Sequence, residues 1–385
     1  MKIAFFNYLM LEYGGGTGRF FIDAAIGLKQ RYPNLKLSIF SLNKKLVKKI
    51  QSLYSFYFRR NIGEEQRLSN NNIKQYLRKS DINYETVHSG KELREKLQEA
   101  DVVYSKNDLL ELLILRHFVG RQFIHKLIIG FHTPVFYERP YNLQSYLHNF
   151  LYNSFIYKYL IKDADKYHVL NRFTEKRLRL WFADKEIKKI YNPFEFNSDN
   201  FSGEVTGNRY ENRLNLLWVG RLTREKGVDD LIELIKELKK TKLDKKIKWL
   251  IAGSGEYEKE IKNLAKSYGN VKHFGFLNAG ELKHLYQKSD LFLSTSRWES
   301  FPYTFIEAQS FGLLIIAYNI HGCKDIVEDG VNGYLVNSLE EFSLKLVDVI
   351  KNSKKNIKKK QYKRHIRKLI NNQEILKEFY KLFAG

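Results

Sequence analysis

Short apolar runs alternate with longer amphipathic stretches along the first half of the chain. The runs have the length and the flanking turn residues of buried strands, and the stretches between them repeat their apolar positions at helical spacing. This pattern predicts strands at residues 2–9, 35–41, 102–104, 126–131 and 167–170, and helical segments at 17–31, 44–60 and 141–161. Such alternation is typical of a parallel sheet with helices on both faces.

A second series of the same kind begins at Leu214. It predicts strands at 214–219, 247–252, 271–274, 291–294 and 313–317, and helices at 229–240, 256–268, 281–288 and 304–311. Between the two series the sequence becomes polar, with Gly, Asn and Ser, which favours a domain boundary. We therefore predict an α/β protein with two Rossmann-like, doubly wound domains at 1–192 and 193–345. Basic helices at 346–385 are expected to pack back toward the N-terminal domain.

Length and composition agree with two ordered domains. At 385 residues the chain exceeds the size at which a single hydrophobic core stops growing. A hydrophobic content of 43% with 5 prolines is that of a globular protein. The single cysteine, Cys323, cannot form an internal disulfide, so we expect a reducing, cytoplasmic setting. No apolar run approaches the roughly 18 residues that a membrane span needs, and the N-terminus is too polar for a secretion signal.

The formal net charge of +23 favours an anionic partner, because self-repulsion of this size is then more easily tolerated. Nucleic acid, anionic lipid and phosphorylated substrates all qualify. Cations are concentrated at 351–368 and at 44–60, where they alternate with apolar and aromatic groups as in helices that lie on membranes. We expect 44–60 to dock the N-terminal domain on an anionic membrane. The alternative is a core-facing side for its apolar residues, Leu46, Ile50, Leu53 and Tyr57.

Two carboxylates follow the predicted strand at 291–294. Glu299 lies in the loop at the carboxyl end of the strand, and Glu307 lies about one turn inside the next helix. Doubly wound sheets bind ligands at the carboxyl ends of their strands. Because an ionised carboxylate only accepts hydrogen bonds, the pair suits the hydroxyl groups of a sugar nucleotide. The alternative is a loop glutamate and an exposed helical glutamate with no shared role.

Cations and glycines follow the first two strands of the second series. Arg221 and Lys226 leave the strand at 214–219 together and could neutralise a diphosphate. Gly253 and Gly255 follow the next strand, in a turn that lets a nucleotide approach the backbone. A Gly-x-Gly alone is a weak signal for a nucleotide site.

A glycine loop also follows the first predicted strand of the chain, at Gly14-Gly15-Gly16. Residue 19 is arginine, where the dinucleotide fingerprint has its third glycine. The loop therefore weighs against NAD chemistry.

The order and spacing of these motifs resemble those of the family 4 retaining glycosyltransferases. Four motifs within residues 214–337 carry the resemblance: Gly-Arg-Leu-x-x-x-Lys-Gly, Ala-Gly-x-Gly, the Glu299 and Glu307 pair, and Asp-Gly-x-Asn-Gly. In the first half it rests on the glycine loop, on His132 and on Asn192-Pro193. The resemblance implies a GT-B fold, in which two Rossmann-like domains face each other across a cleft. The second domain would hold the nucleotide-sugar donor, and the first would hold the acceptor.

The resemblance also implies roles for the matching residues. Arg221 and Lys226 would contact the donor diphosphate and compensate the charge of the leaving group. Glu299 would face hydroxyls of the donor sugar, Glu307 would bind the ribose, and His132 would lie beside the transferred sugar. The other donor-binding positions are the glycine turns, the segment beside the base and the helix start after Glu299: Gly15, Gly16, Gly253, Gly255, Phe276, Leu277, Phe301, Tyr303 and Thr304.

The partners that the resemblance implies are a nucleoside diphosphate sugar, with a UDP-sugar favoured, and a hydroxyl acceptor. We expect this acceptor to be a lipid-linked saccharide or glycolipid of surface glycan synthesis, and we expect no nucleic acid partner. No metal cofactor is expected, because cationic side chains and helix dipoles can stabilise the leaving group. Asp163 and Asp165 match a metal-binding Asp-x-Asp pattern, but they lie at a helix end before a modest strand.

Other functions remain open from the sequence. A glycoside hydrolase also uses two carboxylates, but cations that bind a diphosphate have no place in hydrolysis. A non-enzymatic protein that binds nucleic acid or an anionic surface would explain the charge, yet it gives the glutamate pair no role. A sugar-nucleotide epimerase or a phosphorylase on the same fold is a further alternative.

Overall fold

The structure is a computed structural model that describes residues 1–9, 11, 15–53, 70–195, 213–353 and 358–385. The chain divides into two compact units. Unit 1 comprises Met1–Phe136, Asn149–Glu195 and Asn372–Gly385, and unit 2 comprises Tyr137–His148 and Phe196–Asn371. The chain thus passes into unit 2 twice, and its last residues belong to unit 1.

Unit 1 is built on a seven-stranded sheet in the order β3-β2-β1-β4-β5-β6-β7, in which all neighbours are parallel. The strand order reverses between β1 and β4, and such a switch point is where doubly wound sheets bind ligands. The strands are β1 Lys2–Phe6, β2 Lys36–Leu42, β3 Asn83–Val87, β4 Val102–Lys106, β5 Leu127–Phe131, β6 Lys166–Val169 and β7 Glu186–Lys189.

Helices cover both faces of this sheet, because successive side chains of a strand point to opposite faces. Phe5 of β1 and Tyr104 of β4 pack against Phe21 and Phe383, which lie on the first and last helices of the chain. Phe6, which follows Phe5 in β1, packs in a second core with other helices of the unit. The helices are α1 Gly15–Arg31, α2 Lys44–Leu53, α3 Asn70–Lys79, α4 Gly90–Gln98, α5 Leu109–Ile114, α6 Leu143–Tyr152, α7 Phe155–Ile161, α8 Arg172–Trp181 and the C-terminal α16 Asn372–Ala384. The residues of α6 up to His148 belong to unit 2.

Unit 2 contains a six-stranded parallel sheet in the order β10-β9-β8-β11-β12-β13, with its switch point between β8 and β11. The strands are β8 Leu214–Val219, β9 Ile247–Ala252, β10 Val271–His273, β11 Leu291–Ser294, β12 Leu314–Tyr318 and β13 Gly333–Val336. The helices are α9 Val228–Lys239, α10 Glu258–Ser267, α11 Ala279–Gln287, α12 Tyr303–Ser310, α13 His321–Lys324, α14 Leu339–Lys351 and α15 Lys359–Leu369. The predicted fold class, α/β with two doubly wound sheets, is confirmed.

The single helix predicted at 141–161 is wrong. The segment forms two helices, α6 and α7, because Ser154 accepts a hydrogen bond from Tyr157 N at 3.2 Å and caps the second helix. A capping serine satisfies a backbone donor that a continuous helix would bond internally.

The interfacial helix predicted at 44–60 is described only as far as Leu53. Within α2, Val47 and Ile50 are buried and Leu46 packs against the unit 1 core, whereas the four lysines are exposed. The apolar side of α2 therefore faces the protein, as the alternative interpretation expected for Leu46 and Ile50. Residues 54–60, with Tyr57, lie outside the described residues.

Two further expectations differ from the structure. Gly15 and Gly16 form the first turn of α1 rather than a loop, and Gly14 lies outside the described residues. Only Asn372–Gly385 of the basic C-terminal region belongs to unit 1. α15 instead packs beside the end of α12, where a Cβ on Gly312 would lie 2.8 Å from Lys359 O.

Candidate functional site

Four loops of unit 2 lie at one edge of its sheet, because all six strands run parallel. Arg221 follows β8, Gly253 follows β9, Phe276 follows β10 and Glu299 follows β11. The loops after β8 and β11 flank the switch point, which in a doubly wound sheet opens a crevice for a ligand. The structure thus brings the sequence-predicted cations and the carboxylate Glu299 to one place.

Lys226 and Glu299 form a part-buried ion pair, with Nζ and Oε1 2.6 Å apart. The close approach of their loops depends on Gly227, whose φ of +66° is left-handed. A Cβ at this position would lie 1.9 Å from Thr295 O, so any side chain would push the two loops apart. The pair places a cation and an acceptor of hydroxyl hydrogen bonds side by side.

A second cation, Arg221, is held by Glu225, with Nη2 and Oε1 3.2 Å apart. Glu225 O also accepts a hydrogen bond from Arg297 N at 3.0 Å. The Arg297 guanidinium reaches Asp229 at 2.6 Å and Asp230 at 2.7 Å. Arg297 therefore ties the loop after β11 to the start of α9, and this fixes the frame in which Arg221 is presented.

The residues around Glu299 are braced by the Tyr137–His148 segment. Tyr137 stacks on Trp298, with ring centroids 4.6 Å apart. Glu138 accepts a hydrogen bond from His321 N, and its carboxylate lies 3.1 Å from His321 Nδ1. Burial raises the pKa of Glu138 above its ordinary range. A segment from the first half of the sequence thus supports the Glu299 loop, and no local pattern signals this.

Glu307 lies on α12, where Oε2 accepts a hydrogen bond from Tyr286 Oη at 2.9 Å. Tyr286 is buried and its ring stacks on Phe311, with centroids 5.6 Å apart. The tyrosine orients the carboxylate, and a carboxylate accepts several hydrogen bonds at once. Glu307 can therefore bind a hydroxyl pair while it keeps this contact.

The turn after β9 requires its two glycines. Gly253 and Gly255 have φ values of +140° and +149°. A Cβ on Gly253 would lie 1.8 Å from Gly220 O, and one on Gly255 would lie 2.7 Å from Leu222 O. The turn packs directly on the backbone on either side of Arg221.

The remaining donor-binding positions divide into exposed and buried side chains. Phe276 is exposed and Leu277 is part-buried, and Gly253 N donates to Gly275 O at 2.7 Å, so this segment adjoins the glycine turn. Phe301 and Tyr303 are buried, and Thr304 is part-buried at the start of α12. A ligand would therefore meet the backbone of this helix start rather than the two aromatic rings.

In unit 1, His132 follows β5 and is almost fully buried. Its Nε2 lies 2.7 Å from Tyr104 Oη, and its ring packs against Phe20 of α1 at 4.2 Å between centroids. Desolvation holds the pKa of His132 well below 6.5, so the imidazole is neutral. Gly15 and Gly16 begin the helix that carries Phe20.

Glu111, which the sequence does not single out, is fully buried at the switch point of unit 1. It accepts hydrogen bonds from Tyr8 N at 3.0 Å, Lys106 N at 2.8 Å and Ser105 Oγ at 2.7 Å. Lys106 Nζ lies 3.7 Å away. Burial raises the pKa of Glu111 to about 7. The carboxyl anchors the backbone just after β1.

Both aspartates of the Asp-x-Asp pattern form ion pairs with arginines. Asp163 pairs with Arg116 at 2.9 Å, and Asp165 pairs with Arg121 at 2.7 Å and accepts from Leu127 N at 2.6 Å. Within the described ranges, no group of three or more His, Cys, Asp or Glu side chains is arranged to hold a metal ion.

Residues 205–369 match the family glycosyl transferases group 1. An uncharacterized glycosyltransferase of Methanocaldococcus jannaschii is 28% identical over 67% of this chain and 68% of its own length. The matched region, which carries Arg221, Lys226, Glu299 and Glu307, is that of a group 1 glycosyltransferase. The UDP-Gal:alpha-D-GlcNAc-diphosphoundecaprenol alpha-1,3-galactosyltransferase of Escherichia coli is 29% identical over 43% of each chain, so less than half of that relative is matched.

The solved structure of HepE from Anabaena in complex with UDP and glucose has a TM-score of 0.68. It is 16% identical and covers 100% of this chain and 99% of its own. The GT-B fold of this glycosyltransferase is thereby confirmed.

The family match at residues 205–369 favours one of the alternatives that the sequence leaves open. A group 1 glycosyltransferase is an enzyme, which argues against a purely nucleic-acid-binding protein and against a hydrolase. It also favours transfer over epimerase or phosphorylase chemistry. Sequence reasoning singled out the charged residues of the candidate site but missed the residues that hold them in place, Tyr286, Arg297, Tyr137 and Glu138. In the sequence these residues look like ordinary core or loop residues, because their partners are distant in the chain.

Proposed function

We propose that this glycosyltransferase moves a hexose-type sugar from a nucleoside diphosphate sugar to a hydroxyl acceptor. The observation that carries the proposal is the ion pair of Lys226 and Glu299 at the switch point of unit 2, 2.6 Å apart. A diphosphate is a dianion that lysine and arginine bind well, and a sugar offers hydroxyl donors to a carboxylate. The crevice of unit 2 would then contact both the diphosphate and the sugar of the donor.

Each residue of the donor site has its own part in this proposal. Lys226 and Arg221 contact the diphosphate and compensate the negative charge that grows on it as the sugar leaves. Glu299 accepts hydrogen bonds from sugar hydroxyls, and Glu307, oriented by Tyr286, binds the ribose. In unit 1, His132 lies beside the transferred sugar.

We propose that the configuration of the sugar is retained. The support is the motif resemblance to the retaining family 4 enzymes, which extends over residues 214–337. The acceptor hydroxyl would attack from the face that the diphosphate leaves, within an ion-pair-like transition state and without a covalent intermediate. NMR of the product formed from an α-linked donor tests this: an α-linked product is expected, and a β-linked product would refute retention.

We propose a UDP-sugar as the donor and no metal requirement. The Escherichia coli relative is named for a UDP-Gal donor and the HepE structure contains UDP, so both support uridine. Two cations at the diphosphate site supply the charge that a metal would otherwise provide. Excess chelator should leave transfer largely intact, and a complete loss that a divalent ion restores would overturn the diphosphate assignment.

We propose a lipid-linked saccharide or glycolipid as the acceptor, which the enzyme meets as a peripheral protein on the cytoplasmic face of a membrane. The name of the Escherichia coli relative, which contains diphosphoundecaprenol, supports this class. Among the described helices none is long and apolar enough to cross a bilayer.

The surface best suited to contact with the membrane lies at the end of α6 and on α7, in the part of unit 1 that begins at Asn149. Its apolar side chains are unusually exposed, 71% for Phe150 and 80% for Phe155, where a solvated surface would carry polar groups. Tyr159 stands beside cations: Arg116 lies 4.1 Å and Lys162 4.4 Å from its ring centroid. Exposed aromatic groups next to cations suit the boundary of an anionic bilayer.

Liposome co-sedimentation tests the surface. Wild-type protein should bind anionic liposomes, and salt should weaken the binding. Phe155→Ser should release the protein, while Leu344→Ser, which changes an exposed leucine of α14, should not. Release by glutamate substitution of Lys44, Lys45, Lys48 and Lys49 without an effect of Phe155→Ser would assign the contact to α2 instead. Wild-type protein that stays in the supernatant at low salt would remove the membrane proposal.

A thermal-shift screen against nucleoside diphosphate sugars tests the donor proposal. A ligand at 100 times its dissociation constant stabilises a protein by about 2.7 kcal/mol. Stabilisation by a UDP-sugar, lost in Arg221→Ala, is expected. No shift with any nucleotide sugar would contradict the proposal.

A further inference from the structure

A continuous chain of hydrogen bonds runs from His132 into the interior of unit 1. His132 Nε2 lies 2.7 Å from Tyr104 Oη, and Tyr104 Oη lies 2.6 Å from His168 Nδ1. His168 Nε2 lies 2.7 Å from the carbonyl oxygen of Ile190. Tyr104 and His168 are 0% exposed, and His132 retains 9%. The chain therefore has one partly accessible end, which is His132.

The chemistry of its last member fixes the direction of every bond in this chain. A carbonyl oxygen only accepts, so His168 Nε2 carries a proton. In a neutral imidazole the other nitrogen is then an acceptor, and His168 Nδ1 takes the hydroxyl proton of Tyr104. The Tyr104 oxygen must accept from His132 Nε2–H. His132 Nδ1 is consequently left without a proton, and no described residue forms a hydrogen bond with it.

The surrounding elements hold this arrangement rigidly. Phe20 of α1 packs on His132, and Phe379 of α16 packs on His168 at 4.8 Å between centroids. Gly130 leaves room for the hydroxyl, because a Cβ there would lie 1.8 Å from Tyr104 Oη. Any side chain at residue 130 would therefore displace the Tyr104 hydroxyl and disrupt its hydrogen bonds.

Apolar rings and one charged pair of the described residues lie around this hydrogen-bonded chain. α1 and α16 face it with Phe20, Phe21, Phe379 and Phe383. Lys106 of β4, which is paired with Glu111, disfavours a positive charge on His132. Burial lowers the pKa of His168 to about 4. Both imidazoles are therefore neutral at neutral pH, which is the condition that the bond directions require.

We propose that Tyr104 and His168 are positioning residues that hold His132 as the Nε2-protonated tautomer, so that its Nδ1 accepts a hydrogen bond from a hydroxyl of the donor sugar. The proposal rests on the donor role of His132 given under the proposed function. The opposite tautomer would present an N–H to the hydroxyl and would remove this acceptor.

The first test is the tautomer itself. Histidine side chains labelled with ¹⁵N report separately, by NMR, which ring nitrogen carries the proton, and the His132→Gln variant assigns the signal of His132. The wild type should show a protonated Nε2 and an unprotonated Nδ1 at pH 7. A proton on Nδ1 would overturn the proposal, and this result needs neither substrate nor a folded variant at Tyr104.

The second test separates positioning from packing. Tyr104→Phe keeps the ring and removes the hydroxyl, so the His132 signals should become a mixture of tautomers. The rate of sugar transfer or donor hydrolysis should fall roughly ten- to a hundredfold, while the affinity for UDP, which lacks the sugar, should stay unchanged. Tyr167→Phe is the matched control, because it also removes a buried hydroxyl hydrogen bond, to Ile161 O at 2.8 Å.

The outcomes distinguish failure of the positioning role from failure of the proposed function. A wild-type rate and a single unchanged tautomer in Tyr104→Phe would overturn the positioning role. Equal losses in Tyr104→Phe and Tyr167→Phe would assign the effect to packing and would also overturn it. If the wild type turned over no nucleotide sugar at all, the proposed function would fail, whereas the NMR signals would still decide whether Tyr104 and His168 set the tautomer.

Discussion

Each cation of the proposed donor site in unit 2 is already held by a carboxylate. Lys226 pairs with Glu299, and Arg221 pairs with Glu225. A long cationic side chain loses entropy when it is ordered, and a carboxylate partner imposes part of that order before the ligand binds. The donor diphosphate would then replace or share these partners. Single substitutions in this set are expected to affect chemistry more than folding.

Arg221→Ala and Glu307→Ala are expected to reduce turnover strongly. Loss of one charge-assisted contact in such a site costs on the order of 2 to 4 kcal/mol, or roughly thirty- to a thousandfold in rate. Release of labelled sugar from the nucleotide sugar measures this. Lys262→Ala is the control, because Lys262 is an exposed cation of α10 that pairs only with Glu258 among the described residues. Near-normal turnover in both site variants would contradict their assignment.

His132→Ala is expected to lower turnover far more than it weakens UDP binding. The proposed contact of His132 is with the sugar, which UDP lacks, so the loss should appear in the chemical step. Calorimetry with UDP beside turnover rates separates the two quantities. Equal losses in both would indicate that His132 supports the fold rather than the sugar.

Glu111 predicts a pH dependence of stability. Its folded-state pKa of about 7 lies above the ordinary 4.5, so the native state binds the proton more tightly than the unfolded state. The resulting stabilisation is fully present below pH 4.5 and is lost as pH rises through 7; the shift corresponds to on the order of 3 kcal/mol. Urea unfolding at pH 5.5 and 8 should show that the wild type loses stability relative to Glu111→Gln at the higher pH. A difference that does not change with pH would refute this.

At the scale of elements, the turn after β9 illustrates how backbone geometry positions the site. Gly253→Ala should destabilise the protein and abolish donor binding, because the new Cβ would lie 1.8 Å from Gly220 O in a left-handed conformation. Gly269→Ala is the matched control, since a Cβ there meets nothing within 4 Å. Thermal unfolding and UDP titration check the pair. Tolerance of Gly253→Ala would mean that the turn can move without loss of the site.

Elements with strong local signals are the ones the sequence predicts well. The strands at 214–219, 247–252 and 291–294 have their predicted bounds, because their apolar runs are buried on both faces. The break between α6 and α7 was missed. The sequence does not show that the Ser154 side chain caps α7 instead of continuing the preceding helix. The sequence also leaves open which way the apolar side of α2 faces, because this depends on the core residues that α2 contacts in the fold.

The candidate site, too, could be predicted only in part from the sequence. Motif spacing brings Arg221, Lys226 and Glu299 to one sheet edge, because parallel strands align their carboxyl ends. It does not predict that Lys226 contacts Glu299, since this depends on Gly227 and on how closely two loops pack. The chain from His132 through Tyr104 to His168 joins three strands, and such pairings between distant residues leave no mark in a single sequence.

At the scale of the whole molecule, a charge of +23 is consistent with an enzyme whose donor and proposed membrane are both anionic. Salt should weaken binding to UDP and to anionic liposomes alike, because both depend on exposed cations. The aromatic side chains of α6 and α7 add an apolar contribution that salt does not screen. Charge and apolar exposure together suit reversible attachment rather than insertion.

The central claim is that the crevice of unit 2 holds a nucleoside diphosphate through its cations. Calorimetric titration of UDP into the wild type, Lys226→Ala and Lys262→Ala tests it most directly. The wild type and Lys262→Ala should bind UDP with equal affinity, and Lys226→Ala should bind it roughly ten- to a hundredfold more weakly. Equal affinity in all three proteins, or no binding by the wild type, would contradict the claim.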